Sequence, residues 1–458
     1  MKVIICGAGQ VGYSIAQYLA KQNNDITVID QAPDLVLKLR ESLDVQAING
    51  HASDPDTLEL ANAADADMII AVTNSDEVNM VACQVAETLF KIPMKIARIR
   101  NRSYLKPIWA DLFGAKKLPI DFIISPEEET ARAIMRRIEV PGVFDIVPFV
   151  EKKVSVVGLI LEENCPVVDT PLGQLSGLFP DLHITVMAIV RNRKMFIPTI
   201  DDQMKVGDNI YFAAEQSHVA RAIIVFGHEE KEARRIVIIG GGNVGLFLAR
   251  GLEQNSPKLN VKLIEHGKER ADFLASKLKK TVVINGDGLE ESILQEANIQ
   301  SAETVVTVTN DDEVNVLSAL LAKRLGVGRA IALTNKPIYG PLITSLGIDA
   351  FLDPKETTVS TILQHIRRGK IRNLHSVRYG EAEIMEAEVL ETSPLFGKPL
   401  RDLKLPDGII AGAVVRGEEV IMPRGDTVLE VKDRVVLLAF SSAIKSVEKL
   451  FAVRLEFF

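Results

Sequence analysis

The sequence predicts an α/β protein made of tandem duplicated Rossmann-like parallel-sheet domains, each followed by a small α+β domain. Three observations carry that prediction. A short apolar strand runs into a glycine turn twice, at Val3-Ile4-Ile5-Cys6-Gly7-Ala8-Gly9-Gln10-Val11-Gly12 and at Ile236-Val237-Ile238-Ile239-Gly240-Gly241-Gly242-Asn243-Val244-Gly245. An acidic residue closes the next apolar run in both halves, Asp30 after Ile26–Ile29 and Glu265 after Val261–Ile264. The correspondence then continues: Asn49–Asp54 answers to Asn285–Glu290, Val72–Asn79 to Val308–Asn315, and Ser125-Pro126-Glu127 to Asp353-Pro354-Lys355. A repeat this long means two copies of one structural unit, which are expected to pack pseudo-symmetrically.

The glycine turns come first in each copy. Glycines at that spacing let the backbone turn sharply, approach a pyrophosphate and pack the following helix on the strand. The candidate phosphate contacts are therefore Gly7, Ala8, Gly9, Gln10, Val11 and Gly12, with Gly240, Gly241, Gly242, Asn243, Val244 and Gly245 in the second copy. Asp30 and Glu265 are placed to accept both hydroxyls of a ribose and to repel a 2′-phosphate, which favours NAD or an adenosine nucleotide over NADP. The plainer alternative is that they are ordinary polar strand ends.

Strands are expected at Val3–Cys6, Thr27–Ile29, Asp44–Ile48, Met68–Val72, Lys95–Arg98 and Asp121–Ile124, with helices at Gly12–Lys21, Glu77–Phe90 and Glu127–Glu139. Strands this short and apolar on both faces suit a sheet covered on both sides by helices. Residues 1–124 form the first nucleotide-binding domain, 125–142 a linking helix ended by Pro141-Gly142, and 143–228 a small domain. Residues 229–353, 354–373 and 374–458 repeat that order, with the second crossing helix at Pro354–Arg368. The small domains show β-branched runs such as Val154–Ile160, Ile184–Val190 and Arg434–Phe440, with hairpin turns at Arg191–Lys194 and Arg416–Glu419.

Further candidates lie beyond the strand ends, where ligands collect in an open parallel sheet. Thr73 and Asn74, with Thr309 and Asn310, offer hydroxyl and amide groups to ribose or phosphate; they also suit capping of the helix that follows. His51, near the expected adenine pocket, has Asp287 as its duplicate, so polarity is kept and acid–base chemistry is not. Arg98 and Arg100 end a strand whose duplicate, Arg329–Thr334, lacks them; a guanidinium there reaches a pyrophosphate or a neighbouring carboxylate. The second site is accordingly expected to bind more weakly, or to prefer a different adenine nucleotide.

Composition narrows the class. Of 458 residues, 47% are hydrophobic and 25% charged, as in a folded globular chain, and the length fits several domains, with the duplication selecting an even number. A net charge of −8, without runs of Lys and Arg interleaved with aromatics, argues against a nucleic-acid partner. The strand beginning at Lys2-Val3 leaves no room for a cleaved signal, and no apolar run approaches a membrane span, so a cytoplasmic chain is expected. Cys6, Cys83 and Cys165 have no metal or redox spacing, and Cys6 reads as a small buried apolar residue. The seven histidines give neither HExxH nor a close ligand cluster, so no metal and no catalytic residue is expected.

With these landmarks, each half resembles the regulator of conductance of potassium domain, and the whole chain resembles the Trk-type potassium uptake regulatory subunits of bacteria. The resemblance rests on Gly7, Gly9, Gly12, Asp30, Thr73, Asn74 and Arg98, and on Gly240, Gly242, Gly245, Glu265, Thr309 and Asn310. It implies a non-enzymatic peripheral protein on the inner face of the cell membrane, assembled as a homotetrameric ring beneath a potassium-translocating membrane subunit. It also implies binding of NAD or NADH, and of adenine nucleotides such as ATP or ADP, coupled to pore opening. Linkage between binding and conformation then leads us to expect hinges near 125–142 and 353–370. His51 opposite Asp287, and the absent second-copy arginine, set the two sites apart. An NAD-dependent oxidoreductase and a nucleotide-sensing scaffold without a transport partner are the competing readings.

Overall fold

The computed structural model describes residues 1–22, 24–101, 103–114, 117–179, 182–230, 232–256, 258–336, 339, 342–343, 346–366, 371–378, 380–403 and 405–451. They form two compact units. The first comprises Met1–Glu129 with Lys355–His365, and the second Thr130–Pro354 with Ile366–Phe458.

In the first unit β1 (Lys2–Cys6), β2 (Asp25–Asp30), β3 (Gln46–Asn49), β4 (Met68–Ala71), β5 (Met94–Arg98) and β6 (Phe122–Ile124) make one sheet in the order β3-β2-β1-β4-β5-β6. All its pairings are parallel. Its central strands are buried on both faces: Met68–Ala71 is buried at every position, as the apolar run predicts. Burial pushes the Cys6 thiol far up, so it behaves as the small apolar residue expected. Element ends shift by one or two residues from expectation, as in the strand Asp25–Asp30 and the helix Gln10–Ala20. The third strand is Gln46–Asn49 rather than Asp44–Ile48, and the helix beginning at Asp76 is α-helical only to Val85 before a wider π turn over Ala86–Phe90. Lys91, at φ 57°, ends that turn. The ring of His365 stacks on Phe122 with centroids 3.6 Å apart, and burial pushes its imidazolium down.

The second unit holds three sheets. β7 (Asp145–Phe149), β8 (Val154–Ile160), β9 (Ile184–Arg191), β10 (Lys194–Phe196) and β11 (Asn209–Glu215) form an antiparallel sheet in the order β10-β9-β11-β8-β7. β12 (Arg235–Ile239), β13 (Asn260–Glu265), β14 (Val282–Asn285), β15 (Thr304–Thr307), β16 (Arg329–Leu333) and β17 (Ala350–Leu352) repeat the parallel order β14-β13-β12-β15-β16-β17. β18 (Ile371–Val377), β19 (Ala382–Glu388), β20 (Ile409–Arg416), β21 (Glu419–Ile421) and β22 (Arg434–Phe440) repeat the antiparallel one. The expected boundary at 373/374 therefore falls inside β18, and Arg367 and Arg368 of the expected crossing helix lie outside the described residues. Both hairpins turn where expected, pairing Arg191 with Lys194 and Arg416 with Glu419; Asn192, Arg193 and Gly417 take the positive φ such turns require.

Three contacts organise this unit. The helix Pro126–Glu139 buries Ala131, Ile134 and Ile138, one stripe at helical spacing, in the core with Ile238, Leu248 and Leu252. Arg329 donates to the carbonyls of Arg137 (2.5 Å) and Val143 (2.6 Å) at the end of that helix. Its burial pushes the guanidinium down to about 10. The two small domains share a core that includes Met187, Ala213, Ile384, Ala413 and Val436. Gly412 permits the close approach, since a Cβ there would lie 2.5 Å from Met187 Sδ. Among the described residues no helix is long and apolar enough to cross a membrane.

Candidate functional site

Each parallel sheet carries one cleft of about 380 Å³ beyond the carboxyl ends of its central strands. In the first copy the chain leaves β1 through Gly7, whose φ of 111° requires glycine. The helix Gln10–Ala20 then begins at Gly9 without a side-chain cap. Gly240 (φ 112°) and the helix Asn243–Asn255, uncapped at Gly242, repeat this. Free N–H groups at a helix N-terminus form an anion-binding end. Gly12 and Gly245 lie beneath the turn rather than in the cleft: a Cβ would come 1.8 Å from the Gly7 oxygen and 2.0 Å from the Gly240 oxygen. Gln10, Val11, Asn243 and Val244 likewise lie in the first helical turn, outside the cleft linings.

The acidic strand ends line both clefts. Asp30 accepts from the N–H of Ala8 (2.6 Å) and of Ala32 (2.8 Å), and Glu265 from Gly241 and Gly267 at 2.8 Å each. Each carboxylate is thus locked against its own glycine turn, with lone pairs left for hydroxyl donors. His51 is exposed on the first wall, its Nδ1 3.0 Å from Ser53 Oγ. Asp287 lines the second cleft and accepts from Leu289 N–H at 2.9 Å.

Thr73, Asn74, Thr309 and Asn310 also line the clefts, but none of them caps the following helix. Ser75 does so, accepting from Val78 N–H at 3.2 Å, and Asp311 does so for Val314 at 2.9 Å. Thr73 and Thr309 are instead held by Asn79 and Asn315, whose side-chain oxygens accept from the threonine hydroxyls at 2.7 Å and 2.8 Å. Their amide groups donate across to the carbonyls of Arg98 (2.9 Å) and Leu333 (3.0 Å). Asp76 accepts from the N–H groups of Arg100 and Asn101, and Asp312 from that of Asn335. The asparagines and aspartates are positioning residues that sequence reasoning passed over, although the repeated Asp-Glu-Val-Asn run of both halves carries the signal.

Of the two partners expected for the strand-end arginines, a pyrophosphate or a neighbouring carboxylate, the structure shows the carboxylate. Arg98 faces a carboxylate and not the cleft: its Nη2 donates to Glu127 Oε1 at 2.6 Å, near the start of the helix Pro126–Glu139. Arg100 lies with Nε 3.8 Å from Asp76, also outside the lining. The second cleft is not without a guanidinium either. Arg270 lines it, donates from Nε to the Gly241 oxygen at 2.8 Å, and keeps a buried Nη2 without a hydrogen-bond partner among the described residues. The fold also gathers His183, Glu215 and His218, which are distant in sequence, with one ligand-type atom of each within 4.8 Å of the others.

Comparison with known proteins fits this geometry. Residues 3–126 and 236–354 match the TrkA-N domain, and residues 156–227 and 384–452 the TrkA-C domain. The Trk system potassium uptake protein TrkA of Azorhizobium caulinodans is 49% identical over the whole of both chains. The chain belongs to the TrkA family of potassium uptake regulatory subunits. A TrkA from Vibrio alginolyticus is 41% identical over 98% of each chain. The TrkA-family chain shares its fold with the GsuK channel bound to NAD, at a TM-score of 0.61 and 18% identity, over 99% of this chain and 79% of that one. The TrkA family is regulatory rather than catalytic.

Proposed function

We propose that this TrkA-family chain senses nucleotides through both clefts and thereby gates a potassium-translocating membrane subunit. The observation that carries this reading is the duplicated cleft itself: an uncapped helix N-terminus stands beside a carboxylate held against its own glycine turn in each copy, the arrangement that suits a phosphate and a ribose. NAD or NADH, and ATP or ADP, fit that chemistry, and the GsuK channel of similar fold has been solved with NAD. The chain would act as a homotetrameric ring, peripheral on the inner face of the membrane through its partner.

Gating requires that the nucleotide bind two conformations with different affinity. The Arg98–Glu127 ion pair supplies a switch of that kind. A phosphate that draws Arg98 competes with Glu127 and so loosens the start of the helix Pro126–Glu139. The test is potassium flux in proteoliposomes carrying the cognate membrane subunit, with and without this chain, while NADH, NAD, ATP and ADP are varied. Flux that depends on the chain and on the nucleotide supports the proposal. Unchanged flux, despite verified complex formation and nucleotide binding, overturns it.

A further inference from the structure

We propose a divalent-cation site in the first small domain, formed by His183, Glu215 and His218 and suited to Zn²⁺. One ligand atom from each residue lies within 4.8 Å of the others. The arrangement follows from the local fold. β9 and β11 are antiparallel with Ile184 opposite Ala214, so His183 and Glu215, one residue further on, face each other across the pair. The turn Gln216–His218 then brings His218 back over Glu215.

The side chains are already turned toward one another. Glu215 Oε1 accepts from Ser217 Oγ at 3.0 Å, while Oε2 faces His218 Nδ1 at 3.5 Å. That Nδ1 is buried and, among the described residues, has no hydrogen-bond partner. The rings of His183 and His218 lie face to face, with centroids 4.9 Å apart and planes 27° from parallel. An unpartnered buried imidazole nitrogen beside a carboxylate oxygen presents two donor atoms to one cation. Two imidazoles and one carboxylate are the donor set of a borderline divalent ion, leaving one coordination position for water.

The duplication supplies a control for this reading. The matching strands of the second small domain put Gly408, Phe440 and Ala443 at the three positions, so the ligands are particular to the first. Gly408 sits at φ 86° and His183 at φ 47°. The first copy thus holds a histidine in left-handed backbone where its duplicate has glycine, a conformational cost that a ligand role explains. Bound metal would clamp the start of β9 to the turn that leads from β11 into the helix Val219–Val225.

The test uses the full chain, stripped with a chelator and titrated with Zn²⁺ by calorimetry, with Co²⁺ absorption reporting the ligand field. Asn tolerates positive φ, so the variants are His183→Asn, His218→Gln and the two combined. The expected result is one Zn²⁺ per wild-type chain, weakened at least about tenfold by either substitution and lost in the double variant. Thermal unfolding of the wild type alone should shift upward with Zn²⁺. Circular dichroism and nucleotide binding should stay unchanged in every variant, which separates loss of ligands from loss of fold. Zn²⁺ binding by the double variant as in the wild type, or no binding by the wild type, overturns the proposal.

Discussion

Arg270 occupies in the second cleft the place that Leu35 occupies in the first, each five residues beyond the carboxylate that ends the second strand. The two clefts therefore share an acidic strand end and an uncapped helix start, and besides His51 against Asp287 they differ at this wall, which is apolar in the first copy and cationic in the second. Because Arg270 keeps one buried Nη2 unpaired, an anionic ligand group would find a donor there that the first cleft lacks. Arg270→Leu should weaken ATP at the second cleft by roughly ten- to a hundredfold, the worth of one charge-assisted hydrogen bond of about 1.5–3 kcal/mol. Adenosine should bind as before. Calorimetry on a chain whose first cleft is blocked reads both numbers, and an equal loss for adenosine would show that Arg270 supports the wall rather than the phosphate.

The glycines of the first turn separate stability from binding. At Gly9 an added Cβ meets nothing within 4 Å, and φ is −62°, so Gly9→Ala should unfold within about 0.5 kcal/mol of the wild type. If nucleotide binds as proposed, its pyrophosphate passes over this methyl group, and affinity at the first cleft should fall. Gly12→Ala places a Cβ 1.8 Å from the Gly7 oxygen and should cost on the order of 3 kcal/mol or more. Thermal melts beside nucleotide titrations check the pair. A Gly9→Ala chain that binds normally would mean that the ligand does not pass over this turn.

Much of this architecture was legible because it is periodic or forced. Gly7 must adopt positive φ, apolar strands must be covered, and Asp30 falls at a fixed distance from the turn, so sequence alone places all three. Side-chain direction was not legible. Arg98 ends its strand as expected, but which of its two expected partners it meets was not legible: it turns to the carboxylate of Glu127, 29 residues away, whose proximity depends on how β5 pairs with β6. Arg270 escaped notice because its duplicate is Leu35, and comparison of the copies rewards what they share. His183 and His218 are 35 residues apart in sequence and meet only through antiparallel pairing of β9 with β11.

Asn79 is fully buried and uses both ends of its amide. Its oxygen accepts from the Thr73 N–H at 2.9 Å and hydroxyl at 2.7 Å, and its nitrogen donates to the carbonyls of Thr73 and Arg98. Asn79→Ala strands several of those groups and should destabilise the first unit by about 2–3 kcal/mol. With Thr73 released, nucleotide affinity should drop at the first cleft and hold at the second. Asn315→Ala should do the reverse, its oxygen holding Thr309 N–H at 2.8 Å. Equal effects of either substitution on both clefts would count against independent positioning.

Asp145 joins the two small domains, accepting from Arg137 Nη2 at 2.6 Å and lying 2.9 Å from His375 Nε2. Burial alone would push its carboxyl up, but Arg137 and then His375 outweigh burial and hold it well below the usual carboxylate range. The folded value thus lies beneath the ordinary 3.8 of an unfolded aspartate. Its contribution is fully present above that value and is lost as the pH falls toward the folded one. Asp145→Asn leaves Arg137 without its carboxylate and should cost about 3–5 kcal/mol at pH 7. Urea unfolding of both proteins between about pH 5 and pH 2.5 should find the wild-type advantage shrinking as acid is added. An advantage that grows instead would mean that burial, and not the arginine, governs this carboxyl.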